Sequence, residues 1–191
     1  MRRAPPASSR KRKTLLVGVT GHRPNRMPRK HWSRVKDDLR GVMDEVESTH
    51  PKCRFFLLTG LAEGADQLAA TVALERGWKL RALLPFHRTC YEADFANARS
   101  VKQFRALLGA SAEIEEPEMQ TYARNRRDEG YSRVGEMLVS SSHLLLVVWD
   151  GKPSKGIGGS VEVMEAARAK NIPVCWVHAT KSRDPVWLGS R

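Results

Sequence analysis

The 191-residue chain is 41% hydrophobic and 28% charged, with three cysteines and a formal net charge of +12. That length suits a single domain with a sizeable core. No apolar run approaches the ~20 residues of a membrane span, and the first, Leu15 to Val19, is too short for a signal-peptide core, so the cytoplasm is the default location.

Half of the charge excess lies in the first thirteen residues, where Arg2, Arg3, Arg10, Lys11, Arg12 and Lys13 stand without an acid among Pro and Ser. Residues 1–13 therefore read as a disordered basic tail, either a solubilising leader or a nonspecific tether to nucleic acid. Cys53, Cys90 and Cys175 are scattered and lack metal-ligand spacing, so they read as reduced thiols; neither a metal nor a cofactor is expected.

From residue 14 to 179, short apolar runs alternate with longer amphipathic ones. Residues 14–19 form the first predicted strand. Trp32, Val35, Leu39, Val42, Met43 and Val46 then recur at three- and four-residue steps, the mark of a helix with one buried face. Further strands are predicted at 54–59, 79–85, 143–149 and 173–179, with a short edge strand at 111–116. Helices carry Leu68, Val72 and Ala73, the stretch 91–109, the stripe Tyr131, Val134 and Leu138, and residues from Gly159 to Asn171. Residues 180–191 read as a loose C-terminal tail on which Trp187 alone could dock. This alternation of continuous apolar strands with helices predicts an α/β, Rossmann-like, doubly wound and mostly parallel sheet with helices on both faces. Ligands in such sheets bind outside the carboxyl ends of the strands, where the winding reverses.

Four predicted strand ends carry unusual residues. In "VTGHRPNRM" (19–27), Thr20 and Gly21 are placed in a tight turn, His22 can donate to a ligand, and Arg23 can pair bidentately with a phosphate. In "LLTGLAEGADQLAA" (57–70), Gly60 and Gly64 allow close backbone approach, while Glu63 and Asp66 sit at a helix start; helix capping alone accounts for Asp66. The G-x-x-x-G spacing is not the dinucleotide fingerprint. "LPFHRTCYEADF" (84–95) offers a loop wall for a base or ribose, and its His87–Cys90 pair lacks the orienting group of a nucleophilic site. "WDGKPSKGIGGS" (149–160) places Gly151, Gly156, Gly158 and Gly159 before Ser160, read as a helix N-cap. Lys152 and Lys155 add charge, and Asp150 stands at the strand tip. It is an anion cradle without the Gly-Lys-Ser/Thr ending of a Walker loop; a flexible connection is the alternative. Of the run Arg124–Arg127, at most two side chains can share a helix face, and Arg124 and Asn125 are the candidates.

"TGLAEGADQLAATVALERG" and "RNRRDEGYSRVGEMLVSSSHLLLVVWDGKPSKGIGGSVEVMEAARAKNIPV" resemble the SLOG superfamily, which groups the DNA-processing protein DprA with the LOG phosphoribohydrolases. The resemblance covers most of residues 14–178 and implies a Rossmann-like fold that binds nucleotides or their derivatives; it also implies a homodimer, with no surface assigned. In LOG members a Gly-Thr-x-x-Glu pattern supplies the catalytic carboxylate. Here Ser160 matches the Thr, but Val163 occupies the Glu position. The nearby acids, Glu162 and Glu165, are offset by about 100–200° of helix rotation.

The leading expectation is a sensor-type binding domain for a nucleotide or nucleotide-derived small molecule. Gly21, Gly60, Gly158, Gly159 and Ser160 would hold phosphate, Arg23 and Arg124 would neutralise it, and Asp150 or Glu63 would read the ribose. The base would lie against Phe86 or Trp149. Alternatives are a nucleoside 5′-monophosphate N-glycosidase using Glu162 or Glu63, and DprA-like single-stranded DNA binding. The chain lacks the aromatic-interleaved basic stretch that base stacking requires.

Overall fold

The computed structural model describes residues 12–118, 127–153 and 159–189. Seven strands form one sheet: β1 (Thr14–Gly21), β2 (Arg54–Thr59), β3 (Lys79–Leu83), β4 (Glu113–Glu115), β5 (Leu144–Trp149), β6 (Val174–His178) and β7 (Val186–Leu188). Their order is β4-β3-β2-β1-β5-β6-β7, and every pairing is parallel except β6 with β7. The chain thus winds outward from β1 in one direction as far as β4, then returns to β1's other edge at β5. That reversal opens a crevice beyond the carboxyl ends of β1 and β5.

The helices are α1 (Trp32–Thr49), α2 (Ala65–Glu75), α3 (Arg88–Tyr91), α4 (Ala98–Gly109), α5 (Arg127–Ser141) and α6 (Ser160–Ala169). Both faces of β5 are buried, which explains its unbroken apolar run. Leu144, Leu146 and Val148 pack into one core with α1, α2 and α4, while Leu145 and Val147 pack into the other with α5 and α6. The period of α1 is the one its sequence predicts, since Val35, Leu39, Val42, Met43 and Val46 are its buried residues.

Three local expectations change. Thr20 and Gly21 belong to β1, not to a turn, because Gly21 stays in register with Val148. The stretch 91–109 does not run as one helix: Asn97 is extended and caps Ser100 N, so α4 starts at Ala98. Residues 186–188, expected within a loose tail, pair antiparallel with β6, and the Trp187 indole donates to Glu45 at 2.9 Å. No helix among the described residues is long and apolar enough to cross a membrane.

Candidate functional site

The end of β1 is held between its neighbours. His22 N donates to Val148 O at 3.0 Å, and Ala65 N donates to His22 O at 3.1 Å. This proximity demands glycine at two places. A Cβ on Gly21 would lie 2.5 Å from Ala65 Cβ, and one on Gly64, at φ +106°, 2.5 Å from His22 O. The β1 and β2 turns are therefore packed against each other, and side chains after Gly21 emerge into the crevice.

There lies a cleft of about 280 Å³, at the small end of the range for ligand pockets. Thr20, Gly21, His22, Arg23, Asn25 and Arg26 line one side, and Gly60, Ala62 and Asp66 another. Pro85, Tyr91 and Tyr131 close it, with Val134, Gly135 and Leu138 of α5 and Gly159 to Val161 and Val163 at the start of α6. The first N–H groups of α6 have no partner within the helix, and Thr20 Oγ1 donates to Ser160 Oγ at 3.3 Å across the opening.

Two basic side chains follow β1 and differ in their partners. Arg26 grips Asp150 with both arms, Nε to Oδ2 at 3.1 Å and Nη2 to Oδ1 at 2.6 Å, and also meets the carbonyls of Lys152 and Pro153. Arg23 donates to neutral acceptors, the Asp94 carbonyl at 3.1 Å and the Tyr131 hydroxyl at 2.9 Å. Its guanidinium stacks over the Tyr131 ring at 5.5 Å. Tyr131 in turn donates to the Asp94 carboxylate, which Arg127 also pairs. Arg23 thus keeps its charge without a carboxylate salt bridge among the described residues.

The carboxyl groups around the cleft are shifted in opposite directions. Burial works against ionisation of Asp150, but His22, the Lys152 N–H and Arg26 outweigh it and bring the group down to about 2. Burial pushes Asp66 up to about 7, against the Ala62 N–H and the charge of Arg23. His22 is held below its ordinary value, first by burial and also by Arg26, with Asp150 opposing.

No family model matches the sequence, and no curated protein matches it. Among solved structures, DNA processing protein A from Streptococcus pneumoniae is similar at a TM-score of 0.55 and 16% identity, over 84% of this chain and 49% of that one. The same protein from Helicobacter pylori, described with a single-stranded DNA binding mode, gives 0.52 and 16% over 85% and 64%. The protein TM1055 gives 0.50 and 13% over 84% and 72%. The chain has the Rossmann-like fold of these structures. It spans about half the length of the pneumococcal protein.

Within this Rossmann-like frame, Thr20, Gly21, His22, Arg23, Gly60, Gly159 and Ser160 meet at one cleft. Ser160 is the first residue of α6, and Gly159, with β-region backbone, takes the N-cap position expected of Ser160. Arg124, Asn125, Gly156 and Gly158 lie outside the described residues, as does most of the basic tail.

The other expected site residues lie elsewhere. Glu63 is buried against α4, away from the cleft, accepting from Ser100 Oγ at 2.7 Å, Ala96 N at 3.2 Å and Arg29 at 3.2 Å. Asp150 is committed to His22 and Arg26 and does not line the cleft. Phe86 is buried below α5, where a Cβ on Gly130 would touch its ring at 2.4 Å. Trp149 turns toward Trp176 at 5.1 Å, and Gly151, at φ +80°, adjoins the same indole. Gly64 serves the turn packing already described. Glu162 is exposed on the outer groove between α5 and α6, while Val163, buried, lines both that groove and the cleft.

Asp66, Tyr131 and Arg26 are among the cleft residues that were not selected from the sequence. Asp66 looked sufficiently explained by its helix start. Tyr131 shares an apolar stripe with Val134 and Leu138, which disguised its hydroxyl. Arg26 acquires meaning only when the sheet brings Asp150 alongside; its nearest sequence signal was its place four residues after His22.

Proposed function

We propose that the β1/β5 cleft binds a nucleotide or nucleotide-derived small molecule and holds it without cutting it. The observation that carries this reading is Arg23, a half-buried guanidinium bonded to neutral oxygens beside the open N-terminus of a helix. A phosphate placed there would receive a charge-assisted pair from Arg23 and backbone N–H groups from α6. Gly60 and Gly159 leave backbone accessible at its flanks, and the apolar wall of Pro85, Val134, Leu138 and Val161 suits a base or another planar group.

Holding is favoured over hydrolysis because the position that a SLOG-type glycosidase gives to its carboxylate is Val163, and Glu162 points to the outer groove. A thermal-shift screen over mono-, di- and cyclic nucleotides, NAD and ADP-ribose tests the reading. A ligand at 100 times its dissociation constant adds about 2.7 kcal/mol of stability. Chromatography of the same mixtures is expected to show no free base. Absence of any stabilisation at millimolar concentration would remove the reading, and base release lost in Glu162→Gln would replace it with the hydrolase.

A further inference from the structure

His22 is turned the opposite way from a ligand donor. Its Nε2 lies 2.9 Å from Asp150 Oδ1, and that carboxylate is itself fixed by Arg26 and the Lys152 N–H. An ionised carboxylate only accepts, so Nε2 carries the proton, and a neutral ring then leaves Nδ1 as a lone-pair acceptor. The burial that lowers the His22 pKa keeps the ring in this neutral form at pH 7.

Nδ1 has no hydrogen-bond partner among the described residues. It is not sealed in the interior either: the one sealed side-chain polar atom without a partner among those residues is Ser142 Oγ. His22 is among the residues that line the cleft. An acceptor in a confined site is best satisfied by a donor delivered with the ligand, because leaving it unpaired costs a full hydrogen bond's desolvation. The neighbouring Thr20 hydroxyl already directs its proton to Ser160.

Position narrows what that donor is. His22 follows Thr20 by two residues at the extended end of β1, so its side chain falls on the same face as the Thr20 hydroxyl that meets Ser160 at the start of α6, and the acceptor stands near the helix end proposed to take the anionic group. In a nucleoside 5′-phosphate the groups that close to the phosphate are sugar hydroxyls, while the base edge lies at the far end. Resting on the cleft reading above, we infer that His22 Nδ1, aimed by the Asp150–Arg26 pair, accepts a hydrogen bond from a sugar hydroxyl and makes the cleft selective for ribonucleotides over their deoxy forms.

The test is calorimetric titration of the full chain with AMP, GMP, CMP and UMP and with the 2′-deoxy and 3′-deoxy form of each. At least one ribonucleotide is expected to bind about tenfold more tightly than one of its deoxy forms. His22→Gln keeps an amide donor where Nε2 meets Asp150 but has no acceptor in place of Nδ1, and it is expected to bring both forms to the same weaker affinity. Equal binding of ribo and deoxy forms by the natural chain overturns the inference and leaves the cleft reading standing. A preference that survives unchanged in His22→Gln overturns the assignment to His22. Binding of no nucleotide at all overturns the cleft reading, and this inference with it. Should His22→Gln fail to fold, the ribo-to-deoxy ratio of the natural chain decides alone.

Discussion

The turns after β1 and β2 have the same outline in sequence, a glycine at a strand end followed by charged residues, yet they end in opposite states. At the β2 turn, Glu63 is buried against α4 and takes hydrogen bonds from a hydroxyl, a backbone N–H and a guanidinium. At the β1 turn, Arg23 meets neutral oxygens and His22 keeps one nitrogen open. A buried polar group with all its bonds made is scaffold, and one with capacity left over beside a cleft is available to a ligand.

The largest expected effect separates these two states. Glu63→Ala leaves Ser100 and Ala96 N without their acceptor and is expected to cost about 3 kcal/mol of stability by denaturant unfolding. The folded fraction should bind the cleft ligand as before. Arg23→Met should do the reverse, weakening nucleotide binding about a hundredfold, or about 2.7 kcal/mol, with a much smaller change in stability. A loss of binding in Glu63→Ala comparable to that in Arg23→Met would erase the distinction.

A pair of glycines sharpens it further. Gly21→Ala drives a methyl to within 2.5 Å of Ala65 and 2.8 Å of Val148 Cβ, and is expected to destabilise by about 2 kcal/mol. Gly60→Ala meets nothing closer than Asp66 Oδ2 at 3.2 Å, so its unfolding midpoint should move little while ligand affinity falls.

Asp66 has its own signature. Its folded value of about 7 lies above the ordinary 3.8, so between those values the folded chain holds a proton that the unfolded chain has released. Stability contributed by that proton is complete below pH ~4 and declines as pH rises toward 7. Asp66→Asn should therefore gain on the natural chain between pH 5 and pH 8, by roughly 2–3 kcal/mol. Unfolding curves whose difference is flat across that range would contradict the shift. The smallest effect belongs to Glu162→Gln, which should change neither affinity nor turnover, since the side chain faces the outer groove.

The architecture was legible because it is written in short patterns: α1 repeats its buried face at steps near 3.6 residues, and β5, buried on both faces, is an unbroken apolar run. Part of the cleft was legible too, since strand-end glycines and Arg23 mark the crevice on sequence grounds alone. What could not be read was partnership across the sheet. Asp150 looked like a free strand-tip acid until β5 lay beside β1 and delivered it to His22 and Arg26. Glu63 looked like a ligand contact until α4 covered it, and Phe86 like a surface wall until Gly130 of α5 closed over it. Each of these errors is a local reading overturned by a contact distant in sequence.

The most direct test of the account is a titration of the best nucleotide from the screen into the natural chain and into Arg23→Met, with unfolding followed on both. The expected result is saturable one-site binding that falls about a hundredfold in the variant, with its unfolding midpoint within a few degrees of the natural one. Equal affinity in the two proteins would contradict it, because the ligand would then be held somewhere other than the β1/β5 cleft.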